Sequence, residues 1–272
     1  ASHRGLHASF LPLMNLIQGY KVLGLLSARE LETLDEILKD PGKPVVAFVS
    51  GVKMTEKIPA VEAMIRHGAI QTLFTAAPAF FVAHGHPVGN SLPGDDLIEL
   101  EREVAAAHRL LELAAEFGAE VKIPADLHVS FELPDKFRPS LKVPSRVVGA
   151  REIPFGSYVF DIAARGDPGP TETAERIRNL LEDAGTVIFN GTVGLYEVEQ
   201  FAAGTDWIVD AIAGCRAGVK LVVGGDGVAA VNRRMGGVQE AKKKFTLCTG
   251  GGAALKYLAT QTLSALDGLD ER

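Results

Sequence analysis

Cysteine is scarce in this 272-residue chain: there are two, Cys215 and Cys248, far apart and without Cys-x-x-Cys spacing. No disulfide framework can be read from them, and both fit best as small apolar residues near buried strands. No apolar run approaches the ~20 residues that span a bilayer. Nothing near the start pairs a basic stretch with an apolar one, as a secretion signal does. Positive charge is not in excess either: Lys and Arg number 28 against 34 Asp and Glu, for a net charge of −6. A chain of that balance has no broad basic field to draw it to nucleic acid or to an anionic membrane, so an anionic ligand must be held by local groups. Two phosphate-binding fingerprints are missing as well, the Walker Gly-x-x-x-x-Gly-Lys-Ser/Thr and Gly-x-Gly-x-x-Gly, which removes the main support for P-loop and NAD readings. These absences predict a cytoplasmic protein with reduced thiols and with no nucleic-acid or membrane partner.

What the chain does have is core material, 47% hydrophobic residues, enough at this length for one large domain or two small ones. Apolar, β-branched runs of strand length alternate with amphipathic stretches of helix length, the pattern of crossover-connected parallel strands in an α/β fold. The strand candidates are Val45–Ser50, Ile70–Phe74, Glu120–Pro124, Thr186–Asn190, Lys220–Gly224 and Phe245–Thr249. Helix candidates are Leu97–Phe117, stopped by Gly118, and then Thr171–Ala184, Val198–Ile212 and Ala253–Leu266. Asp126–Phe160 has little helix signal and predicts short antiparallel strands or irregular chain. The Gly, Pro and Asp of Ala163–Pro170 mark a loop. A boundary falls near Leu23–Ser27, because the first twenty residues differ in character from the rest and carry His3, Arg4 and His7 close together.

Three glycine-containing turns follow strand candidates and precede helical stretches: Ser50–Lys53, Val223–Gly227 and Thr249–Gly252. In a parallel sheet all three fall at the carboxyl ends of strands, where open α/β folds bind ligands. Glycine lets backbone amides approach an anion, and helix N-termini add partial positive charge, although glycine also simply serves tight turns. Lys53 and Lys57 are four residues apart; on a helix they share one face, either beside a bound phosphate or as a solvated pair. Asp226 could hold Mg²⁺ near phosphates or cap a helix, and the two roles are compatible.

Phe189-Asn190-Gly191-Thr192-Val193-Gly194-Leu195-Tyr196-Glu197 resembles the Trp-Asn-Gly-Pro-Met/Val-Gly-Val-Phe-Glu motif of the phosphoglycerate kinases. Ser50–Ile58 is similar to that family's Gly-Gly-Ala-Lys-Val-x-Asp-Lys-Ile, Val223–Asp226 to its Gly-Gly-Gly-Asp, and Thr249–Ala253 to its Thr-Gly-Gly-Gly-Ala. Weaker matches, Val88–Leu92 and Ile153-Pro154 with Asp161, fall between them in the family's order. The first nine residues resemble the His-Arg-Ala-His-Ser/Ala-Ser stretch that ends the family's N-terminal domain.

The resemblance implies a doubly wound parallel sheet flanked by helices, a three-layer, Rossmann-like nucleotide-binding domain. It divides the chain into a remnant of the substrate domain (1–22), the nucleotide-binding domain (23–262) and a tail (263–272). It implies ATP/ADP and Mg²⁺ as cofactors and 3-phosphoglycerate as acceptor. The N-terminal half would come from the same gene or from a separate polypeptide. Lys53 would stabilise the transferring phosphoryl, and Lys57 would contact the nucleotide phosphates. Amides near Gly225 and Gly251 would receive developing charge, while Gly224, Gly227, Gly250 and Gly252 would line the phosphates. Asn190 would lie beside the nucleotide, Glu197 would accept from ribose hydroxyls, Asp226 would organise the metal, and His3, Arg4 and His7 would contact the acid substrate.

The chain also departs from the family. Thr75-Ala76-Ala77-Pro78 stands where the family has Gly-Gly-Gly-Met, Val159 replaces a glycine, and an insertion sits around Ala163–Pro168. The first two changes add Cβ groups on the adenine side, where they narrow a slot for a flat base. Ser50, Thr192, Gly227-Val228 and Ala254 are milder changes. A kinase of the phosphoglycerate type that needs its N-terminal half is therefore weighed against a catalytically silent nucleotide- or anion-binding module and against a kinase with another phosphoryl donor.

Overall fold

Val45 to Val49 and Thr186 to Asn190 are buried at every residue, as strands covered by helices on both faces must be. The computed structural model describes residues 8, 11–51, 53–91, 97–166 and 169–270. In chain order its elements are α1 (Leu11–Leu16), α2 (Leu25–Lys39), β1 (Val45–Val49), α3 (Ile58–Arg66), β2 (Thr72–Phe74), α4 (Pro78–Ala83), α5 (Leu97–Glu116), β3 (Glu120–Lys122), β4 (Asp126–Ser130), β5 (Arg146–Gly149), β6 (Tyr158–Ile162), β7 (Arg165–Gly166), β8 (Gly169–Pro170), α6 (Glu172–Glu182), β9 (Thr186–Asn190), a 3₁₀ turn (Glu199–Phe201), α7 (Ala203–Gly214), β10 (Val219–Val223), α8 (Gly225–Met235), α9 (Val238–Lys242), β11 (Thr246–Cys248) and α10 (Gly252–Thr260).

Six strands form one parallel sheet in the order β11-β10-β9-β1-β2-β3. Read from the other edge, the chain lays down three strands outward from β1, returns to the centre with β9, and continues outward on the other side. The reversal between β1 and β9 is a topological switch point, and crevices open there at the carboxyl ends of the strands. All six strands predicted from the sequence are present, each within two residues of its expected ends. Large apolar side chains fill the space between sheet and helices; Phe48 and Phe74, on neighbouring strands, have ring centroids 5.4 Å apart.

A second, three-stranded antiparallel sheet, order β5-β4-β6, occupies the segment expected to hold short antiparallel strands. It delivers Asp161 into the interior, where the carboxylate accepts from the Gly204 amide at 2.7 Å and the Ile162 amide at 2.9 Å. Burial pushes the Asp161 carboxyl well above the usual carboxylate range. A Cβ on Gly194 or Gly204 would come within 2.2 or 2.3 Å of that carboxylate, so both positions are closed to larger residues.

Three expected boundaries change. The helix expected over Val198–Ile212 is a 3₁₀ turn followed by α7. The one expected over Ala253–Leu266 ends at Thr260, because Gln261 takes a left-handed conformation with φ 56° and stops the helical ladder. The loop at Ala163–Pro170 contains the two-residue strands β7 and β8, paired antiparallel. Among the described residues no helix is long and apolar enough to cross a membrane.

Candidate functional site

Strand register places the site. Val49 pairs with Asn190, Asn190 with Val223, and Val223 with Cys248, so β1, β9, β10 and β11 end level. The turns that follow them therefore lie side by side, and all four contain glycine. Three were expected from the sequence; the fourth, Gly191, completes the row at the switch point. Its φ is +87°, and a Cβ there would sit 2.4 Å from Ser50 O and 2.8 Å from Lys57 Nζ. Gly224 has φ +95°, and a Cβ on it would approach Asn190 Nδ2 to 3.2 Å and Gly251 Cα to 3.4 Å.

The turns enclose a cleft of about 210 Å³ lined by Lys53, Glu56, Lys57, Asn190, Gly191, Val223–Gly227, Gly251, Gly252 and Leu255. Two helices begin at its wall. The first bond of α8 runs from Val228 N to Gly224 O at 3.0 Å, and α10 opens with Leu255 N to Gly251 O at 3.1 Å. First-turn amides have no partner inside their own helix, and together with the helix dipole they favour an anion. Asp226 is exposed in the first turn of α8, and the cap is Gly224, not Asp226. The capping alternative for Asp226 is thereby excluded.

Lys53 and Lys57 do not share a helix face. Pro59 lacks an amide proton and is tolerated only in a first turn, so α3 starts at Ile58, after both lysines. The loop before it is held from α5 by Glu103, a fully buried carboxylate that accepts from Met54 N at 2.8 Å, Thr55 N at 3.2 Å and Thr55 Oγ1 at 2.6 Å. With that backbone fixed, the lysines part. Lys57 turns inward and donates to Ser50 O. Burial lowers its pKa from 10.5 to about 8, against the attraction of Asp226 and Glu56. Lys53 points outward and pairs with Glu99 of α5 at 2.5 Å; the hydrogen bond it donates to Glu99 raises its pKa above the ordinary value.

Asn190 is buried; its amide nitrogen donates to Val223 O at 2.8 Å, while Oδ1 has no partner among the described residues. Gly224, Gly225, Gly227, Gly251 and Gly252 line the cleft, and Gly250 does not. Gly250 instead faces an apolar cavity beside α2, where Glu30 holds the same turn by accepting from Thr249 N and Thr249 Oγ1, each at 2.9 Å. Glu197 is exposed and outside the cleft lining. His3, Arg4 and His7, proposed for an acid substrate, lie outside the described residues.

The arrangement can be tested against a nucleotide and a metal. The phosphate end fits: glycines leave backbone exposed, the partly buried ammonium of Lys57 donates to Ser50 O, and nothing lies within 4 Å of a Cβ built on Gly225. Among the described residues no group of three or more His, Cys, Asp or Glu could hold a metal ion. A Mg²⁺ here would thus take Asp226 and complete its shell from phosphate oxygens and water. The base end differs: neither Thr75–Pro78 nor Val159 lines the cleft. Ala77 is buried before α4, Ala76 N donates to Ser50 Oγ at 2.9 Å, and Val159 N donates to Ser91 Oγ at 2.7 Å.

Fold and crevice together define the class: a doubly wound α/β domain of the mononucleotide-binding architecture, with its glycine-lined cleft at the switch point. The chain belongs to the phosphoglycerate kinase family, whose profile matches residues 1–261. The phosphoglycerate kinase of Moorella thermoacetica is 34% identical over 275 residues, an alignment that covers 100% of this chain and 63% of that protein. The solved phosphoglycerate kinase of Coxiella burnetii superposes with a TM-score of 0.73 at 28% identity, over 90% of this chain and 57% of that one. That of Pyrococcus horikoshii superposes with a TM-score of 0.73 at 22% identity, over 98% and 61%, and supports the fold alone. The chain thus spans less than two thirds of the length of these relatives.

Proposed function

We propose that the cleft binds the phosphates of ATP or ADP with Mg²⁺, and that the chain supplies the nucleotide half of a phosphotransferase acting on 3-phosphoglycerate. The observation that carries this reading is Lys57. An ammonium held in a site that disfavours its charge, walled by four glycine turns and two helix starts, is costly unless an anion comes to it. Phosphoryl transfer of this kind needs positioning and electrostatics rather than a covalent nucleophile.

Each residue has a part in that scheme. Lys57 and the first-turn amides of α8 and α10 hold phosphate oxygens, and Asp226 would hold the metal, which would offset phosphate charge. Lys53, at the exposed mouth, leaves Glu99 to meet the transferring group, and amides near Gly225 and Gly251 take up charge that develops on the donor. Asn190 Oδ1 and Glu197 remain as acceptors toward the sugar. His3, Arg4 and His7 would contact the acceptor acid, and most of its binding groups would come from a substrate domain on the same polypeptide or another.

The test is transfer from ATP–Mg²⁺ to 3-phosphoglycerate by this chain joined to the N-terminal half of a family member. Lys53→Ala should lower turnover by about 10²-fold or more while nucleotide affinity changes by less than about threefold. A fusion that binds ATP and transfers nothing would favour the second reading, a silent nucleotide-binding module. The departures from the family's glycines at Thr75–Pro78 and Val159 motivate that second reading.

A further inference from the structure

A second convergence of basic groups lies away from the glycine-lined cleft. Beside β3, the edge strand of the parallel sheet, a cavity of about 650 Å³ is lined by groups from four separate parts of the chain. His84 and His86 follow α4, Lys122 ends β3, Arg151 sits in the turn between β5 and β6, and Arg176 comes from α6. Two carboxylates, Glu152 and Glu172, also line it. In a chain of net charge −6, this convergence runs against the overall balance.

Two of the cations are partly satisfied. Lys122 pairs with Glu120 at 3.1 Å, and Arg176 pairs with Glu172 while also donating to Ile123 O at 3.3 Å. The others are not. Arg151 has no ion pair among the described residues. His84 holds Phe80 O through Nδ1 at 2.7 Å, which leaves its Nε2 uncommitted. His86 is anchored by its backbone, N to Phe81 O at 2.8 Å, and its Nδ1 is buried with no hydrogen-bond partner. The two imidazole centroids are 6.3 Å apart. Two planar guanidiniums and two imidazoles lining one roomy cavity form a donor set suited to a tetrahedral dianion.

We infer that this cavity is a second anion site, separate from the glycine-lined cleft, which takes a phosphate-class dianion between Arg151, Arg176, His84 and His86. Without a ligand, burial and then the nearby charges of Arg151, His84 and Arg176 oppose protonation of His86. An anion reverses the sign of that field, so binding and proton uptake by His86 reinforce one another, within a lining that also holds Lys122, Arg151, Arg176, Glu152 and Glu172. Tight binding is therefore expected at pH 6 and weaker binding at pH 8.

The direct test is a titration of the whole chain followed by the ring-proton NMR signals of His84 and His86. Sulfate serves as the first probe because it stays a dianion throughout this pH range. The signals of both histidines should shift saturably, the His86 titration midpoint should rise by about one unit, and affinity should be about tenfold greater at pH 6 than at pH 8. Arg151→Ala, an exposed change that leaves the core untouched, should weaken binding about tenfold or more, and Lys57→Met in the other cleft should leave the response unchanged. Inorganic phosphate and glycerol 3-phosphate distinguish a free ion from a phosphomonoester: equal affinities assign the former, tighter glycerol 3-phosphate the latter. A response that fails to saturate, or that chloride at equal ionic strength or the Arg151→Ala protein reproduces, overturns the inference.

Discussion

The ammonium of Lys53 lies 2.5 Å from the carboxylate of Glu99, one helical turn before the buried Glu103 that grips the same loop by its backbone. Two carboxylates on one face of α5 thus act on one stretch of chain in different ways. Glu103 fixes where the loop goes, and Glu99 holds the lysine that an incoming phosphate would need.

Glu99→Gln should therefore tighten binding of Mg²⁺–ATP. The pair is exposed, with side chains 59% and 36% accessible, so its strength is modest. An improvement of about two- to fivefold is expected, together with a steeper loss of affinity as salt rises. Titration calorimetry at two ionic strengths measures both; unchanged affinity would show that Glu99 does not compete for Lys53.

Glu103→Gln should cost stability. The amide keeps one acceptor oxygen where the carboxylate served Met54 N, Thr55 N and Thr55 Oγ1, and its NH₂ faces donors. A loss of about 2–4 kcal/mol is expected in denaturant unfolding, and amide exchange should quicken first at Met54 and Thr55.

Lys57 gives the pH dependence. Its folded pKa of about 8 lies below the ordinary 10.5, so the folded state opposes the charge. Stability is diminished below about pH 8, and that penalty is relieved as pH rises from about 8 toward 10.5. Lys57→Met should stabilise the ligand-free chain at pH 7 by about 1–3 kcal/mol while abolishing phosphate binding. In the unaltered chain, Mg²⁺–ATP affinity should fall as pH passes upward through 8. An affinity that holds level from pH 7 to 9.5 would remove Lys57 from the site.

Gly191→Ala combines a φ of +87° with a Cβ 2.4 Å from Ser50 O. It should lower stability by about 2–4 kcal/mol and spread the switch-point turns apart. Gly225→Ala, in open space with φ outside the left-handed region, is the control: stability should hold while anion affinity drops.

Much of this architecture was legible in the chain. Buried parallel strands announce themselves as apolar runs, and glycine after such a run marks a turn at a carboxyl end, so β1, β9, β10 and β11, and the loops after β1, β10 and β11, could be placed from the chain alone. Side-chain direction was harder to read. Lys53 and Lys57 look like neighbours on a helix until Pro59 is read as a first-turn residue, and only the loop geometry sends one inward and the other to Glu99. Glu103 did leave a trace, a carboxylate on the same helical face as the buried Ala107, Leu110 and Ala114, but periodicity alone cannot name its partner 48 residues away. The long helix α2, which buries only Leu34 and Ile37 fully, was not read from the chain, and the cavity at His84 and His86 left no recognisable pattern because it is assembled from four distant segments. Gly250 was misplaced because one turn serves two sides: Gly251 and Gly252 face the cleft, and Gly250 faces α2.

The central claim is that the phosphate end of this crevice works whether or not the base end does. Calorimetric titration with Mg²⁺–ATP and, separately, with Mg²⁺–triphosphate tests it most directly. Both should bind, with affinities within about tenfold of each other if the base adds little, and Lys57→Met should abolish both. Absence of heat from either ligand at millimolar concentration, with the chain folded, would contradict the account.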